Sequence, residues 1–197
     1  MSIVIFLMGV SSVGKSSVAK ALIDKSKEEF IIVGFDHAVL QLDKKYWPGG
    51  SDEKEGFYYK EIETENGVVP ELCHGNVGAQ FLVKMMADII QLAKSGQNII
   101  LDQVLSDSEH EQLVTELKDC TFLSVGLKPP LEEVVKREKE RGDRKVGIAK
   151  ALYESFYSGK IFDIEIDTKA VSPDKSADLI IEWLLAPKNT FISRIKL

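Results

Sequence analysis

Five apolar runs of strand length are spaced along the chain and alternate with amphipathic stretches. Each run is rich in β-branched residues and apolar at successive positions, which is typical of strands buried on both faces of a parallel sheet. The runs cover residues 2–8 (SIVIFLM), 30–35 (FIIVGF), 97–104 (QNIILDQV), 120–127 (CTFLSVGL) and 161–168 (IFDIEIDT). We therefore expect a five-stranded parallel sheet.

Helical patterns fill most of the intervals between these runs, with apolar side chains recurring every three or four residues. The predicted helices cover residues 17–30, 75–95, 106–118, 130–140 and 173–186. Ser106 and Asp107 are candidate N-cap residues, and Pro129-Pro130 suits the start of a helix. Strands that alternate with crossover helices predict a three-layer, doubly wound α/β fold with helices on both faces, and residues 1–197 suit one domain.

One segment does not follow this alternation. Residues 48–72 read as a loop followed by a small β-hairpin that turns at Asn66-Gly67. They interrupt the sheet after its second predicted strand. At the other end of the chain, no element is predicted for the tail at residues 187–197.

A glycine-rich turn follows the first predicted strand. Residues 9–16 (GVSSVGKS) fit the phosphate-binding pattern G-x-x-x-x-G-K-[ST] at every fixed position. Glycines permit backbone angles that a side chain would forbid, so successive N–H groups can point inward around phosphate oxygens. The helix that follows adds the positive end of its dipole. The predicted ATP-binding residues of this turn are Gly9, Val10, Ser11, Ser12, Val13, Gly14, Lys15, Ser16 and Ser17.

Two side chains of the turn have specific predicted roles. Lys15 would reach the β- and γ-phosphates, and the Ser16 hydroxyl would hold Mg²⁺. ATP and Mg²⁺ are therefore the expected cofactors. A fortuitous glycine-rich turn is the alternative; a random chain of this length shows the pattern on the order of 1% of the time, and the strand-loop-helix context lowers that figure further.

Ligands of such sheets bind beyond the carboxyl ends of the strands, so polar residues at those ends should lie near the phosphates. Asp102 follows the apolar run NIIL, a pattern that supplies Mg²⁺ or its water shell. Asp36 ends the second run and is placed to accept the proton of an attacking hydroxyl as a catalytic base. Asp167-Thr168 end the fifth run. For either Asp36 or Asp102, the alternative role is that of a helix N-cap.

A run of alternating charges covers residues 136–145 (KREKERGDRK). Arg137, Arg141 and Arg144 recur at helical spacing, and Gly142 gives the segment a flexible joint. Phosphoryl transfer spreads negative charge over the equatorial oxygens, which mobile arginines can neutralise. We expect residues 137–147 to form an arginine lid, with Arg137 binding ATP and the other two acting in catalysis; a solvated helix end is the alternative.

Composition narrows the function classes. The net charge of −6 argues against a nonspecific nucleic-acid binder or a protein of anionic membranes. No apolar run reaches the roughly 18 residues of a membrane span. Cys73 and Cys120 have no motif spacing and suit reduced thiols, so the cytoplasm is the expected location. The sequence carries no signal for an oligomeric state.

These pieces together resemble the chloramphenicol phosphotransferase family of P-loop kinases. The resemblance spans about residues 3–170 and rests on GVSSVGKSS, VGFDH, NIILDQV, SVGL, REKERGDRKVGIA and FDIEIDT. It implies ATP-dependent phosphorylation of a hydroxyl on a small antibiotic, which would be a role in antibiotic resistance. It also places Asp36 at the catalytic base of the family, and Arg141 and Arg144 at its lid arginines.

The departures from the family fall on the side of the acceptor. Gln103 stands where a second acid is expected, and Tyr157-Ser158-Gly159 replace a histidine-glutamate-glycine sequence. Small-molecule kinases often carry acceptor-binding elements in the position of residues 48–72. The predicted substrate-binding residues are Tyr46, Trp47, Phe57, Tyr59 and Gln103. Strand alternation puts Phe57 and Tyr59 on one face of the hairpin, and the alternative is that these rings only cover the core.

The leading hypothesis is thus a kinase of a small-molecule hydroxyl. Its rivals are a P-loop kinase of another metabolite, of a nucleoside or of a macromolecule, and a non-catalytic nucleotide-dependent switch. The chain lacks the N-K-x-D motif with which a GTPase reads its base. Residues 48–72 are acidic overall, which disfavours a nucleoside monophosphate as the acceptor.

Overall fold

The apolar runs form the strands of one parallel sheet in the computed structural model, which describes residues 1–64, 67–142, 146–186 and 195–196. These strands are β1 (Ile3–Met8), β2 (Phe30–Val33), β5 (Asn98–Asp102), β6 (Thr121–Leu127) and β7 (Ile164–Ile166). They lie in the order β2-β5-β1-β6-β7. A two-residue strand, β8 (Ile195–Lys196), pairs in parallel with β7 and extends that edge. The predicted five-stranded sheet is confirmed, and β8 is the part of the predicted tail that the structure describes.

Helices connect the strands and cover both faces of the sheet. They are α1 (Lys15–Lys25), α2 (Phe35–Ala38), α3 (Asn76–Lys94), α4 (Asp107–Glu116), α5 (Leu131–Arg141), α6 (Ile148–Tyr157) and α7 (Pro173–Leu185). Ser106 caps α4 in a capping box with Glu109, and Pro130 precedes α5, as the sequence predicts. Within the described residues, no helix is both long and apolar enough to span a membrane.

The core forms around β1 because this strand lies between two parallel neighbours. Val4, Ile5, Phe6 and Leu7 are at most 1% exposed. Each fully buried side chain of this size contributes about 1.5–3 kcal/mol relative to the exposed state. The register pairs Leu7 with Asp102, so the carboxyl ends of β1 and β5 meet at the same edge.

The insertion after α2 contains the predicted hairpin. Its strands are β3 (Phe57–Thr64) and β4 (Gly67–His74), and they pair antiparallel from Phe57–His74 to Thr64–Gly67. Gly67 thus belongs to β4; the other residue of the predicted turn, Asn66, lies outside the described residues. The hairpin stands apart from the main sheet, and β4 contacts α3 and α6.

Helix α6 is an element that the sequence reading missed. Ala149, Tyr153 and Tyr157 recur every four residues and are buried, so the periodic signal is present. This signal was overlooked because the helix directly follows the charged run. The fifth predicted strand is also shorter than residues 161–168, since only Ile164–Ile166 pair with β6.

Candidate active site

The turn between β1 and α1 has the backbone that a phosphate-binding loop requires. Gly9 has a φ of +155°, and a Cβ at this position would lie 2.7 Å from Val13 Cγ2 and 2.8 Å from the Leu127 carbonyl oxygen. Any side chain at Gly9 would therefore clash as well as strain the backbone. Gly14, with a φ of +103°, immediately precedes α1.

The loop holds its lysine through its own backbone. Lys15 Nζ donates hydrogen bonds to the carbonyls of Gly9 at 3.0 Å and Val10 at 3.1 Å. Ser12 has a left-handed φ of +66°, and its buried hydroxyl has no hydrogen-bond partner among the described residues. An anion held by the loop would supply partners for this hydroxyl and for the N-terminal amides of α1. The residues present thus fit the phosphates of a nucleotide.

A hydroxyl and a carboxylate meet beside this loop. Ser16 Oγ donates a hydrogen bond of 2.8 Å to Asp102 Oδ2. Ser16 is exposed and Asp102 is half-buried at the end of β5. Mg²⁺ is commonly held by one or two such oxygen ligands together with water and phosphate oxygens, so this pair fits the predicted metal site. No cluster of three or more His, Cys, Asp or Glu suited to a metal occurs within the described ranges.

Asp36 lies near the same edge, in the first turn of the short helix α2. A Cβ on Gly34 would come within 2.0 Å of the Asp102 carbonyl oxygen, so the backbones at the ends of β2 and β5 are in direct contact. Asp36 follows two residues later and is exposed. The N-cap of α2 is Gly34, and that of α4 is Ser106, so neither Asp36 nor Asp102 has the N-cap role considered as its alternative. The assignment of Asp36 as the base stays a prediction.

Arg137 of α5 supports the second half of the loop. Its guanidinium donates to the Val13 carbonyl at 3.4 Å, to Thr168 Oγ1 at 3.1 Å and to the Thr168 carbonyl at 2.9 Å, and its Nε pairs with Glu133 at 2.8 Å. Thr168 Oγ1 in turn donates to the Val13 carbonyl at 2.6 Å. Arg137 is therefore at the predicted nucleotide site, and it acts there on the loop backbone.

The structure describes only one of the other two arginines of the predicted lid. Arg141 is the exposed last residue of α5, and Gly142 ends the helix with a φ of +68°. Arg144 lies outside the described residues. The catalytic roles of both arginines stay predictions.

A buried carboxylate that the sequence reading missed joins α5 to the start of α6. Glu138 is 2% exposed, and its oxygens accept hydrogen bonds from the backbone N–H groups of Gly147 at 2.7 Å and Ala149 at 2.9 Å. It lies four residues after the buried Val134, on the inner face of α5. That spacing was the available signal, although a glutamate within a charged run suggests a solvated position.

Two buried tyrosines line the inner face of α6. The hydroxyl of Tyr153 donates to the Pro129 carbonyl at 2.6 Å, and that of Tyr157 donates to the Leu127 carbonyl. Burial raises the pKa of both phenols above the usual value of 10. Both therefore stay protonated and able to donate at neutral pH.

On the acceptor side, the prediction for Phe57 is wrong. Phe57 is 2% exposed, and its ring packs edge-on against Phe35 at 4.8 Å and Phe81 at 5.9 Å between centroids. It fixes the hairpin to α2 and α3 rather than offering a surface to a ligand. The alternation along β3 is real, but it does not reveal which positions are covered by helices.

The other predicted acceptor residues differ in exposure. Tyr46, Trp47 and Tyr59 are half-buried, and Trp47 Nε1 donates to the Leu42 carbonyl at 3.0 Å. Gln103 follows β5 and is 7% exposed, and its Oε1 has no hydrogen-bond partner within the described part of the chain. Substrate binding by these four residues stays a prediction.

The chain is similar in sequence to phosphotransferases. The family model described as chloramphenicol phosphotransferase-like protein matches residues 2–184. A Mycobacterium tuberculosis protein described as "Putative O-phosphotransferase" is 28% identical over 170 residues, which are 84% of this chain and 75% of that protein.

Comparisons of structure identify the fold as that of the P-loop kinases. The APS kinase of Mycobacterium tuberculosis, solved in complex with AMPPNP and APS, is similar with a TM-score of 0.57 at 18% identity, over 94% of this chain and 98% of that chain. The shikimate kinase of Acinetobacter baumannii, solved with shikimate, gives 0.57 at 15% identity over 96% and 97%. The tunicamycin resistance protein of Deinococcus radiodurans gives 0.57 at 18% identity over 95% and 98%.

Proposed function

This chain belongs to the chloramphenicol phosphotransferase-like family, and we propose that it transfers the γ-phosphoryl group of ATP to a hydroxyl group of a small molecule, with Mg²⁺ as its cofactor. The observation that carries the proposal is the hydrogen bond between Ser16 and Asp102 beside the loop that holds Lys15. This contact places the phosphate-binding loop, the Lys15 cation and two oxygen ligands suited to Mg²⁺ at one edge of the sheet.

The residues of the loop bind and orient the donor substrate. The Lys15 ammonium leaves the carbonyls of Gly9 and Val10 for the β- and γ-phosphates, and the amides at the start of α1 face the same oxygens. Ser16 and Asp102 would hold Mg²⁺, which would supply positive charge against the phosphate oxygens.

The residues beyond the loop act on the transfer itself. The acceptor oxygen forms a bond to the γ-phosphorus as the bond from that phosphorus to the β-γ bridging oxygen breaks, and ADP leaves. Asp36 orients the acceptor hydroxyl and takes its proton. Arg141 neutralises the charge that develops on the transferred group. Tyr46, Trp47 and Tyr59 supply aromatic surface for an acceptor that contains a ring.

Chloramphenicol itself is not the acceptor that these residues favour. The motifs that resemble the family belong to the nucleotide side, whereas Gln103 departs from the family pattern on the acceptor side. Another small alcohol is therefore the proposed substrate.

The proposal is tested by saturating the protein with MgATP and measuring ADP release in the presence of hydroxyl compounds that include sugars, nucleosides and antibiotics. Acceptor-dependent ADP release with a phosphorylated product, detected by mass spectrometry, supports a small-molecule kinase. ATP binding with acceptor-independent hydrolysis only would contradict the proposal and favour a nucleotide-dependent switch.

A further inference from the structure

The last residue of α6, Tyr157, reaches the phosphate-binding loop. Tyr157 is 7% exposed, and its hydroxyl donates to the Leu127 carbonyl at the end of β6. A Cβ on Gly9 would lie only 3.0 Å from this hydroxyl oxygen, which places it directly against the start of the loop.

The hydroxyl of Tyr157 ties the end of β6 to the start of the loop. It donates a hydrogen bond to the Leu127 carbonyl, and both this carbonyl oxygen and the hydroxyl lie against Gly9. Gly9 and Val10 are the two residues whose carbonyls accept hydrogen bonds from Lys15. The backbone that holds the lysine thus packs, at Gly9, against Tyr157 and its partner Leu127.

We infer that Tyr157 is a positioning residue, whose hydroxyl holds the Gly9–Val10 backbone in the conformation that binds the nucleotide. The inference rests on the proposed function, in which this loop binds ATP. Removing the hydroxyl would leave the Leu127 carbonyl without this partner in a buried environment and would open space beside Gly9, so the start of the loop would be free to rearrange.

Helices α5 and α6 contact the two halves of the loop. Helix α5 reaches Val13 through Arg137, and α6 reaches Gly9 through Tyr157. Glu138 joins the two helices through Gly147 and Ala149. Both helices are therefore fixed to the loop, and MgATP binding by the loop should change when Tyr157 is replaced.

The test compares Tyr157→Phe with Tyr153→Phe. Tyr153 lies on the same face of α6, is also 7% exposed, and donates to a backbone carbonyl, that of Pro129. The two rings are 4.9 Å apart, and both substitutions keep them. Each variant removes one buried hydroxyl, and of these two tyrosines only Tyr157 lies against Gly9 in the described structure.

The readouts are the dissociation constant for MgATP by calorimetry and the unfolding temperature. Both variants should lose similar thermal stability, whereas Tyr157→Phe should weaken MgATP binding by about tenfold and Tyr153→Phe by less than about twofold. With an acceptor present, Tyr157→Phe should raise the KM for ATP and leave the KM for the acceptor unchanged. Unchanged MgATP binding by Tyr157→Phe, or an equal loss in both variants, would overturn the inference.

The outcomes separate this inference from the proposed function. A wild-type protein that does not bind MgATP contradicts the proposed function, whereas normal binding by both wild type and Tyr157→Phe contradicts only the role of Tyr157. If Tyr157→Phe does not fold, hydrogen exchange of the wild-type Val10 amide without nucleotide decides the question. Slow exchange supports a loop that is held in place before the nucleotide binds, and fast exchange overturns it.

Discussion

The hydroxyl of Ser16 donates a hydrogen bond of 2.8 Å to the carboxylate of Asp102, although 86 residues separate them in the chain. The contact arises because β1 and β5 are adjacent and parallel, with Leu7 paired to Asp102. The loop that follows β1 then turns back over the end of β5. Two oxygen ligands of the kind that Mg²⁺ prefers are thereby placed together.

Replacing Ser16 should change the requirement for Mg²⁺. In Ser16→Ala one ligand is lost and Asp102 loses its partner, so the Mg²⁺ concentration at half-maximal activity should rise about tenfold or more. Titration of activity with Mg²⁺ at fixed ATP measures this. The control is Ser95→Ala, which removes an exposed hydroxyl that donates to Leu92 at the end of α3. An unchanged Mg²⁺ requirement in Ser16→Ala would contradict the metal assignment.

Asp36→Asn should impair phosphoryl transfer and leave nucleotide binding unchanged. The amide has the shape of the carboxylate but cannot take the proton of the acceptor, so kcat should fall by about 10²- to 10⁴-fold while the dissociation constant for MgATP holds. Asp24→Asn, an exposed change on α1, is the control. If Asp36→Asn retains wild-type kcat, Asp36 is not the base, and Asp102 becomes the remaining candidate.

Arg141→Ala should lower kcat far more than it weakens MgATP binding. The charge that Arg141 meets develops during transfer, so a loss on the order of 10²-fold in kcat is expected. Lys139→Ala removes an exposed cation from the same helix and should have little effect. Equal kcat values for the two variants would mean that this end of α5 is only a solvated helix end.

Glu138→Gln should lower both the stability of the fold and the catalytic rate. The amide keeps one acceptor oxygen, but its NH₂ group cannot accept the second of the hydrogen bonds from Gly147 and Ala149, so the free energy of unfolding should fall by about 1–3 kcal/mol. Because the tie between α6 and α5 is then weakened, kcat should fall as well. Glu140→Gln, on the exposed side of the same helix, is the control for both measurements. Wild-type stability in Glu138→Gln, measured by chemical denaturation, would contradict the role of this carboxylate.

The sequence was most informative where the structure depends on local patterns. Apolar runs become the buried strands, and the pattern at residues 9–16 becomes the loop, because Gly9 has no space for a side chain. The contact between Ser16 and Asp102 was also predictable, since the loop after β1 and the end of β5 lie at the same edge of the sheet.

Residues whose role depends on tertiary packing could not be assigned in the same way. Alternation along β3 does not reveal that Phe57 faces Phe35 and Phe81, because those rings come from other elements. For the same reason Glu138 was missed, and Tyr157 was expected on the acceptor side although it packs against the phosphate-binding loop. Their partners, at Gly147 and at Leu127, are backbone groups that no side-chain pattern encodes.

The transfer of labelled phosphate by Lys15→Ala tests the central claim most directly. Wild-type protein with Mg²⁺ and ATP labelled in the γ-phosphate should pass the label to the acceptor, and Lys15→Ala should pass none while keeping a wild-type circular dichroism spectrum. The control Lys20→Ala, an exposed change on α1, should transfer the label normally. If Lys15→Ala binds ATP and transfers the label as the wild type does, the phosphate-binding role of the loop is wrong, and the proposed kinase activity falls with it.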